Sequence, residues 1–209
     1  MDILEKLNWR YAVKKFDPSK KLNEAQLERV LEATRLSASS YGLQPYKVIV
    51  VKDPAVREAL KAVSWNQPQI TDASHLVVFA RFDDLNDGHV DTFMGHVAGA
   101  RNLQLDDLKG YENILKGTVN RLSEDAAAIW TSKQAYLALG TLLTASAVEG
   151  IDACPMEGFD AAAYDEVLGL KEKNLRTVVV AAIGFRAEED TMQHAKKVRK
   201  PLEDFVELV

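Results

Sequence analysis

The chain has 209 residues, of which 47% are hydrophobic and 27% charged, and its formal net charge at pH 7 is −5. This composition is typical of a soluble globular protein, and the length suits a single domain over residues 1–209 with a substantial core. The acidity argues against a general nucleic-acid binder, and no apolar run approaches the roughly 18 residues of a membrane span. The first residues lack the order of a secretory signal, and the one cysteine excludes an intramolecular disulfide, so a reducing cytoplasm is expected.

The first notable cluster along the chain is basic and comprises Arg10, Lys14 and Lys15. A solvated set of charges at a helix end would explain these residues taken alone. Arg10 and Lys14 would share one face if the segment were helical, and arginine can clamp phosphate through paired hydrogen bonds. The aromatic residues on both sides of the cluster favour a binding site.

Alternating helical and strand patterns fill most of the chain. Helices are predicted over residues 24–36, 54–63, 86–117 (broken near Gly99 or Gly110) and 124–149, and Asn23 with Gln26 forms a plausible capping pair. Strands are predicted over residues 46–51, 75–80 and 177–183. Their apolar side chains do not alternate with polar ones, which indicates central strands covered on both faces.

The helix predicted over residues 124–149 is apolar almost all round, so it is expected to be buried either centrally or against a partner subunit. Gly150 is well placed to end it. The pattern as a whole predicts an α/β or α+β domain with a buried central helix, completed by dimerisation.

Two polar loops offer weaker signals. Residues 37–46 are rich in Ser, Gly and Pro, which a simple helix-to-strand connection would explain, although their hydroxyls could also bind the edge of a heterocycle. Gln44 is expected to be extended because it precedes Pro45. Asn66 and Gln69 read as exposed loop amides when taken alone.

The hexapeptide over residues 153–158 contains Pro and Gly and is predicted to be an exposed turn with accessible backbone amides. A second basic cluster, residues 196–200, would be a solvated tail when taken alone. Pro201 directly after it favours a fixed, extended segment instead. Together with the N-terminal cations, these features suggest a site for a large phosphorylated, electron-demanding ligand such as a flavin nucleotide.

Other chemistry finds little support in the sequence. The four histidines lack metal-ligand spacing, and Cys154 is better explained as a small buried residue than as a nucleophile. No dinucleotide-binding, Walker or nucleophile-elbow motif is present. Their absence favours a cofactor that brings its own chemistry, with no metal and no catalytic side chain.

Taken in order, these segments resemble the FMN-dependent nitroreductase family, in particular its oxygen-insensitive NAD(P)H nitroreductases and dihydropteridine reductase-like members. The resemblance is carried, along the full chain, by residues 10–16, 39–45, 66–69, 72–75, 155–160, 169–173 and 197–199. Residues 157–160, Glu-Gly-Phe-Asp, and the late Lys-x-Arg at 197–199 weigh most.

The resemblance implies an α+β fold, a three-layer α/β sandwich with a central, mostly antiparallel sheet and a long buried helix at the interface of an obligate homodimer. It further implies two FMN sites at that interface and NAD(P)H as the electron donor. The residues that it assigns to the cofactor are Arg10, Tyr11, Ala12, Lys14, Ala38, Ser39, Ser40, Gly42, Asn66, Gln69, Pro155, Met156, Glu157, Gly158, Lys197 and Arg199.

Within that set, the resemblance assigns Arg10, Lys197 and Arg199 to the phosphate and ribityl end of FMN. Lys14 and Asn66 would face the pyrimidine edge. The backbone amides of residues 157–158 would lie near flavin N5, and residues 38–42 would come from the other subunit.

Some positions depart from the family pattern. Tyr11 and Ala12 replace the usual His-Ser or Arg-Ser pair, Gln69 stands where several relatives carry lysine, and residues 83–123, which cover the substrate channel in the family, align poorly.

The expected activity is ping-pong transfer of reducing equivalents from NAD(P)H to nitroaromatics, quinones or related acceptors such as pterins. The alternatives are a flavin-binding protein without turnover, a small interaction module with a basic tail, and a relative that performs reductive dehalogenation or flavin breakdown.

Overall fold

The computed structural model of the protein describes residues 2–209 and has an α+β fold. The helices are α1 (Ile3–Trp9), α2 (Glu24–Arg35), α3 (Pro54–Ala62), α4 (Gln69–Asp72), α5 (Asp87–Arg101), α6 (Lys109–Val119), α7 (Glu124–Val148), α8 (Ala161–Val167) and α9 (Leu202–Phe205). The strands are β1 (Tyr46–Val51), β2 (His75–Phe82), β3 (Asp152–Met156) and β4 (Leu175–Gly184). Among the described residues, no helix combines the length and the apolar character that crossing a bilayer requires.

The four strands form one antiparallel sheet in the order β1-β2-β4-β3. Successive side chains of the two central strands point to opposite faces of the sheet. Val77 and Phe79 pack with residues of α2 and α7, whereas Leu76 and Val78 pack with residues of α3, α4 and α8. Both faces are therefore covered, which confirms the three-layer sandwich and the predicted central position of β2 and β4. The prediction is wrong for β1, which lies at an edge of the sheet.

The predicted helix boundaries are largely confirmed. Asn23 and Gln26 form the reciprocal capping box at the start of α2, and α7 ends before Gly150, whose φ of +70° is a conformation that glycine adopts without steric cost. The predicted break in residues 86–117 is confirmed, because α5 and α6 are separated between Gly99 and Gly110. α5 ends at Arg101, and its C-cap is Asn102 with φ +53°, since asparagine tolerates the left-handed conformation well enough to end a helix. The two glycines themselves lie inside α5 and α6.

The long helix α7 is buried on one side only within a single chain. Ala135, Ala138 and Leu142 are fully buried against the sheet and α2, but Ile129 and Leu137 remain 57% and 52% exposed. A single chain therefore buries only one side of α7, so the expectation of a wholly buried helix is met in part.

Two local predictions are wrong. Residues 153–156 are not an exposed turn, because they belong to β3, where Ala153, Cys154 and Met156 are buried and pair with β4. Only residues 157–158 form the turn. Gln44 is not extended before Pro45, since its φ is +47°. Its backbone N–H donates a hydrogen bond to the hydroxyl of Ser39. Residues 196–200 form neither helix nor strand, and α9 begins directly after Pro201.

Candidate functional site

The N-terminal segment after α1 runs beside the edge strand β3. Ala12 forms a parallel bridge with Ala153, and Phe16 forms an antiparallel bridge with Arg186. Because this backbone is extended and not helical, Arg10 and Lys14 share a side through the two-residue period of a strand. Val13 points the other way and is fully buried. Arg10 and Lys14 therefore both line one cavity, but through the periodicity of an extended segment and not through that of a helix.

A cavity of about 440 Å³ lies between this segment and the C-terminal segment that follows residue 191. Its charged lining residues are all basic: Arg10, Lys14, Lys196, Lys197 and Arg199. Among the residues that the structure describes, no carboxylate lines this cavity. An excess of uncompensated cations in a concave surface attracts anions.

Three of these cations are close enough to repel one another. Burial and the positive charge of Arg199 lower the pKa of Arg10, and the nearby Cys154 offsets this shift in part. Burial, Arg10 and Arg199 likewise lower the pKa of Lys197. The Nε atom of Arg10 is buried and has no hydrogen-bond acceptor among the residues of the described chain. A buried, unpaired donor beside like charges is costly unless an anion occupies the space.

The ammonium of Lys197 ties the two walls of the cavity together. It donates hydrogen bonds to the backbone carbonyls of Leu7 and Arg10, at the end of α1 and just after it. Arg199 donates to the carbonyl of Val198 at 2.6 Å. Because the N-terminal wall is held by the C-terminal segment, the cations of both chain ends are brought into one site.

Asp190 fixes the backbone of the same region and was not identified from the sequence. Its Oδ2 atom accepts hydrogen bonds from the N–H groups of Lys14 and Lys15, at 2.8 and 3.1 Å, and from the Tyr11 hydroxyl, while Oδ1 accepts from Met192 N–H. Burial alone would raise the pKa of Asp190, but these donors together hold it below its usual value. Nothing in the acidic run over residues 188–190 distinguishes this residue from its solvated neighbours.

A cation–π stack supports the floor of the cavity. The guanidinium of Arg186 lies 4.4 Å from the ring centre of Trp9 and 4.6 Å from that of Tyr11. The same group binds Asp152 through its Nε and Nη2 atoms, at 2.9 and 2.5 Å. The charge of Arg186 is therefore neutralised by Asp152. Unlike Arg10, this residue is not expected to bind an anionic ligand.

The turn at the end of β3 forms a second part of the candidate site. Glu157 and Gly158 follow the buried Met156, and the loop before α4 packs against them. In that loop Asn66 is exposed and has φ +56°. Gln69, the first residue of α4, is buried, and its Oε1 atom has no hydrogen-bond donor within residues 2–209. The expectation that both are exposed loop amides is therefore wrong for Gln69.

Cys154 is a packed residue and not a reactive one. It is 2% exposed and lies in the apolar layer beneath the sheet with Val13 and Ile70. Burial raises the pKa of the Cys154 thiol, although Lys14 and Arg10 oppose that shift. A buried, protonated thiol is a poor nucleophile, which supports the sequence interpretation.

The third group, residues 38–42, lies apart from the cationic cavity within one chain. Ser40 N–H donates to the side-chain carbonyl of Gln134 on α7 at 2.8 Å, and Gly42 has φ +76°. None of Ala38, Ser39, Ser40 or Gly42 lines the cavity. The structure thus brings six of the predicted cofactor residues together at the cavity: Arg10, Tyr11, Ala12, Lys14, Lys197 and Arg199. Residues 155–158 lie at the end of β3, beside the segment over residues 65–69. Residues 38–42 lie outside the cavity and contact α7 through Ser40.

Comparison with known proteins gives a family match over most of the chain. The family model described as "Nitroreductase family" matches residues 7–185. The YfkO protein of Bacillus subtilis (strain 168), whose NAD(P)H nitroreductase name is provisional, is 36% identical over 218 residues that cover 99% of this chain and 97% of that protein.

Solved structures share the fold at low sequence identity. The Bacillus subtilis protein ydfN, also a nitroreductase by provisional name, has a TM-score of 0.88 and 21% identity over 99% of this chain and 98% of that one. A provisionally named nitroreductase from Exiguobacterium sibiricum 255-15, crystallised in complex with FMN, has a TM-score of 0.84 and 18% identity over 100% of this chain and 98% of that one.

Proposed function

The chain belongs to the nitroreductase family, and we propose that it binds FMN in the cationic cavity and transfers reducing equivalents from NAD(P)H to nitroaromatics, quinones or related acceptors. The observation that carries this proposal is the buried, unpaired Nε of Arg10 beside Lys197 and Arg199. A phosphate monoester would supply the acceptors and the negative charge that this cluster lacks.

Residues of the candidate site would meet the cofactor at each of its ends. Arg10, Lys197 and Arg199 would hold the phosphate. Lys14 and Asn66 would meet the polar edge of the ring system, and the amides at residues 157–158 would meet its redox-active centre. The FMN complex of the similarly folded Exiguobacterium sibiricum protein supports this choice of ligand.

When bound, FMN would supply the redox chemistry, which is two-electron transfer between NAD(P)H and the acceptor. The chain itself supplies binding and electrostatics. The Lys14 ammonium lines the cavity and would stabilise the negative charge that develops on reduction, because a fixed cation needs no reorganisation at that moment. The buried Asp190 holds the backbone N–H of Lys14 and so fixes where that charge sits.

A homodimer would complete the site. Residues 38–42 lie outside the chain's own cavity, and an apolar strip on α7 containing Ile129, Tyr136 and Leu137 is uncovered in one chain. Strips of this kind mark interaction surfaces. A second copy would cover the strip and could bring its own residues 38–42 towards the first chain's cavity.

Donor and acceptor would use the same open face of the site in turn, which predicts ping-pong kinetics. The test is the absorption spectrum of the purified protein, followed by anaerobic addition of NADH or NADPH and then of menadione or a nitroaromatic. We expect flavin bands that bleach with the donor and return with the acceptor. A protein that binds no FMN, or whose bound FMN neither nucleotide reduces, would overturn the proposal.

A further inference from the structure

The turn formed by Glu157 and Gly158 is held from two sides by side chains outside the expected set of cofactor contacts. On one side, the hydroxyl of Tyr136 on α7 donates a hydrogen bond to the Glu157 carboxylate. On the other side, the amide of Gln67 donates to the Gly158 carbonyl at 2.7 Å and to the Ser64 carbonyl at 3.1 Å. Both the side chain and the backbone of the turn are thus fixed.

Steric contact adds to these hydrogen bonds. A Cβ atom at position 158 would lie 2.5 Å from Cζ3 of Trp65, so only glycine fits without displacing the indole. Trp65 and Asn66 have φ values of +52° and +56°, an uncommon pair for non-glycine residues. The bond from Gln67 therefore couples the position of the Asn66 loop to that of the turn.

The backbone donors of the turn remain free. Within residues 2–209, neither the N–H of Glu157 nor that of Gly158 has a hydrogen-bond acceptor. The turn is partly accessible, so these groups can reach a ligand. Donors that are fixed before the ligand arrives bind an acceptor atom more strongly than donors that must first be ordered.

We propose that Tyr136 and Gln67 are positioning residues that clamp the Glu157–Gly158 turn and so set the strength of its contact with the redox-active centre of the cofactor. This role rests on the proposed binding of FMN. Oxidised flavin presents an unprotonated ring nitrogen that accepts hydrogen bonds, whereas the reduced ring carries a hydrogen there. The clamp therefore favours the oxidised cofactor, and loosening it raises the two-electron potential.

The state of the Tyr136 phenol fits a positioning role better than proton donation. Burial and the hydrogen bond to Glu157 raise the pKa of Tyr136 to about 12. The phenol therefore stays protonated at neutral pH and keeps donating to the carboxylate. A proton donor to an acceptor would instead be expected to have a pKa near the working pH.

The test uses the FMN-loaded protein with Tyr136→Phe, Gln67→Leu, Glu157→Ala and the double variant Tyr136→Phe/Glu157→Ala. Tyr46→Phe on β1 is the matched control, since it removes a half-buried hydroxyl with one weak contact at 3.5 Å from Gln44. The readouts are the dissociation constant for oxidised FMN, the two-electron potential and the melting temperature of the apoprotein.

We expect Tyr136→Phe and Gln67→Leu each to weaken binding of oxidised FMN about tenfold, as loss of one charge-assisted or well-oriented hydrogen bond predicts. If reduced FMN is unaffected, the potential rises by about 30 mV, the equivalent of tenfold for a two-electron couple. The double variant should resemble Tyr136→Phe, because both changes remove the same bond.

Three results would overturn the clamp. The first is that Tyr136→Phe and Gln67→Leu have the same affinity for oxidised FMN and the same two-electron potential as Tyr46→Phe. If the protein still turns over NAD(P)H, this result would leave the proposed function standing. The second is that the two changes in the double variant are additive. A protein without FMN affinity would overturn the clamp and the proposed function together.

Discussion

The Tyr11 hydroxyl donates a hydrogen bond of 3.1 Å to the carboxylate of Asp190, which lies 179 positions further along the chain. The same carboxylate oxygen accepts the N–H groups of Lys14 and Lys15. One buried acid therefore joins the N-terminal wall of the cationic cavity to the segment that leads into its C-terminal wall. The shape of the cavity depends on this junction as much as on the cations that line it.

Asp190→Asn should loosen both walls of the cavity. An amide oxygen accepts hydrogen bonds less strongly than a carboxylate, so we expect a loss of about 1–3 kcal/mol in the free energy of unfolding of the apoprotein. FMN binding should weaken as well, because the cations are no longer held together. Urea denaturation and FMN titration measure the two effects. Glu189→Gln, at an exposed neighbour, is the control and should change neither.

The effect of Asp190 should also depend on pH. The folded state holds the pKa of Asp190 below its usual value of 3.8, so the unfolded chain takes up this proton first as the pH falls. The stabilisation is complete above the unfolded value and is lost as the pH falls through the folded one. The difference in unfolding free energy between the native protein and Asp190→Asn should therefore shrink below pH 3.8. An equal difference at neutral and acidic pH would contradict this assignment.

Arg199→Ala should weaken retention of FMN. Removing one charge-assisted contact to a phosphate is expected to raise the dissociation constant about tenfold or more, with a smaller effect at high salt. Equilibrium dilution followed by flavin fluorescence measures it. Arg101→Ala, at the exposed end of α5, removes the same charge far from the cavity and should leave retention unchanged. Full FMN occupancy of Arg199→Ala after dilution would refute the phosphate role.

Lys14→Met should lower the two-electron potential of the bound flavin and slow its reduction. In the proposed site the cation would stabilise the negative charge of the reduced state, and a charge-assisted contact corresponds to a shift of tens of millivolts. Lys15→Met is the matched control, because Lys15 is the adjacent exposed lysine and does not line the cavity. Equilibration with a redox dye under nitrogen gives both potentials. Equal potentials for the two variants would exclude the electrostatic role of Lys14.

Leu137→Glu should shift the protein from dimer to monomer. The side chain is 52% exposed on the apolar strip of α7, and a dimer would bury the introduced charge without a partner. Sedimentation velocity measures the change, and FMN affinity should fall with it if the partner supplies residues 38–42. Val167→Glu places the same charge on α8 and should leave the assembly intact. A native protein that sediments as a monomer at micromolar concentration would contradict the proposed homodimer.

Cys154→Ala should retain NAD(P)H turnover, since the thiol is buried and burial raises its pKa. The native protein should react slowly with a thiol reagent such as dithionitrobenzoate, and the urea-unfolded protein should react rapidly. Loss of activity in Cys154→Ala at full FMN occupancy would give the thiol a role that the structure does not indicate.

Much of the fold could be predicted from local patterns. The apolar runs at β2 and β4, the capping box before α2 and the glycine after α7 are all short-range signals, and each marks the element that the structure contains. Errors arose where tertiary contacts outweighed local preference. Pro155 and Gly158 suggested an exposed turn, but pairing with the central strand β4 makes residues 152–156 an edge strand.

The sequence by itself determined the residue types of the candidate site and the order in which they occur. It identified two basic clusters and the Glu157–Gly158 turn, because charge and turn chemistry are properties of single residues and their neighbours. It could not show that Asp190 joins the chain ends or that Tyr136 and Gln67 hold the turn. Those contacts link residues from 21 to 179 positions apart, and only the packing of helices and segments around the sheet decides which distant side chains meet.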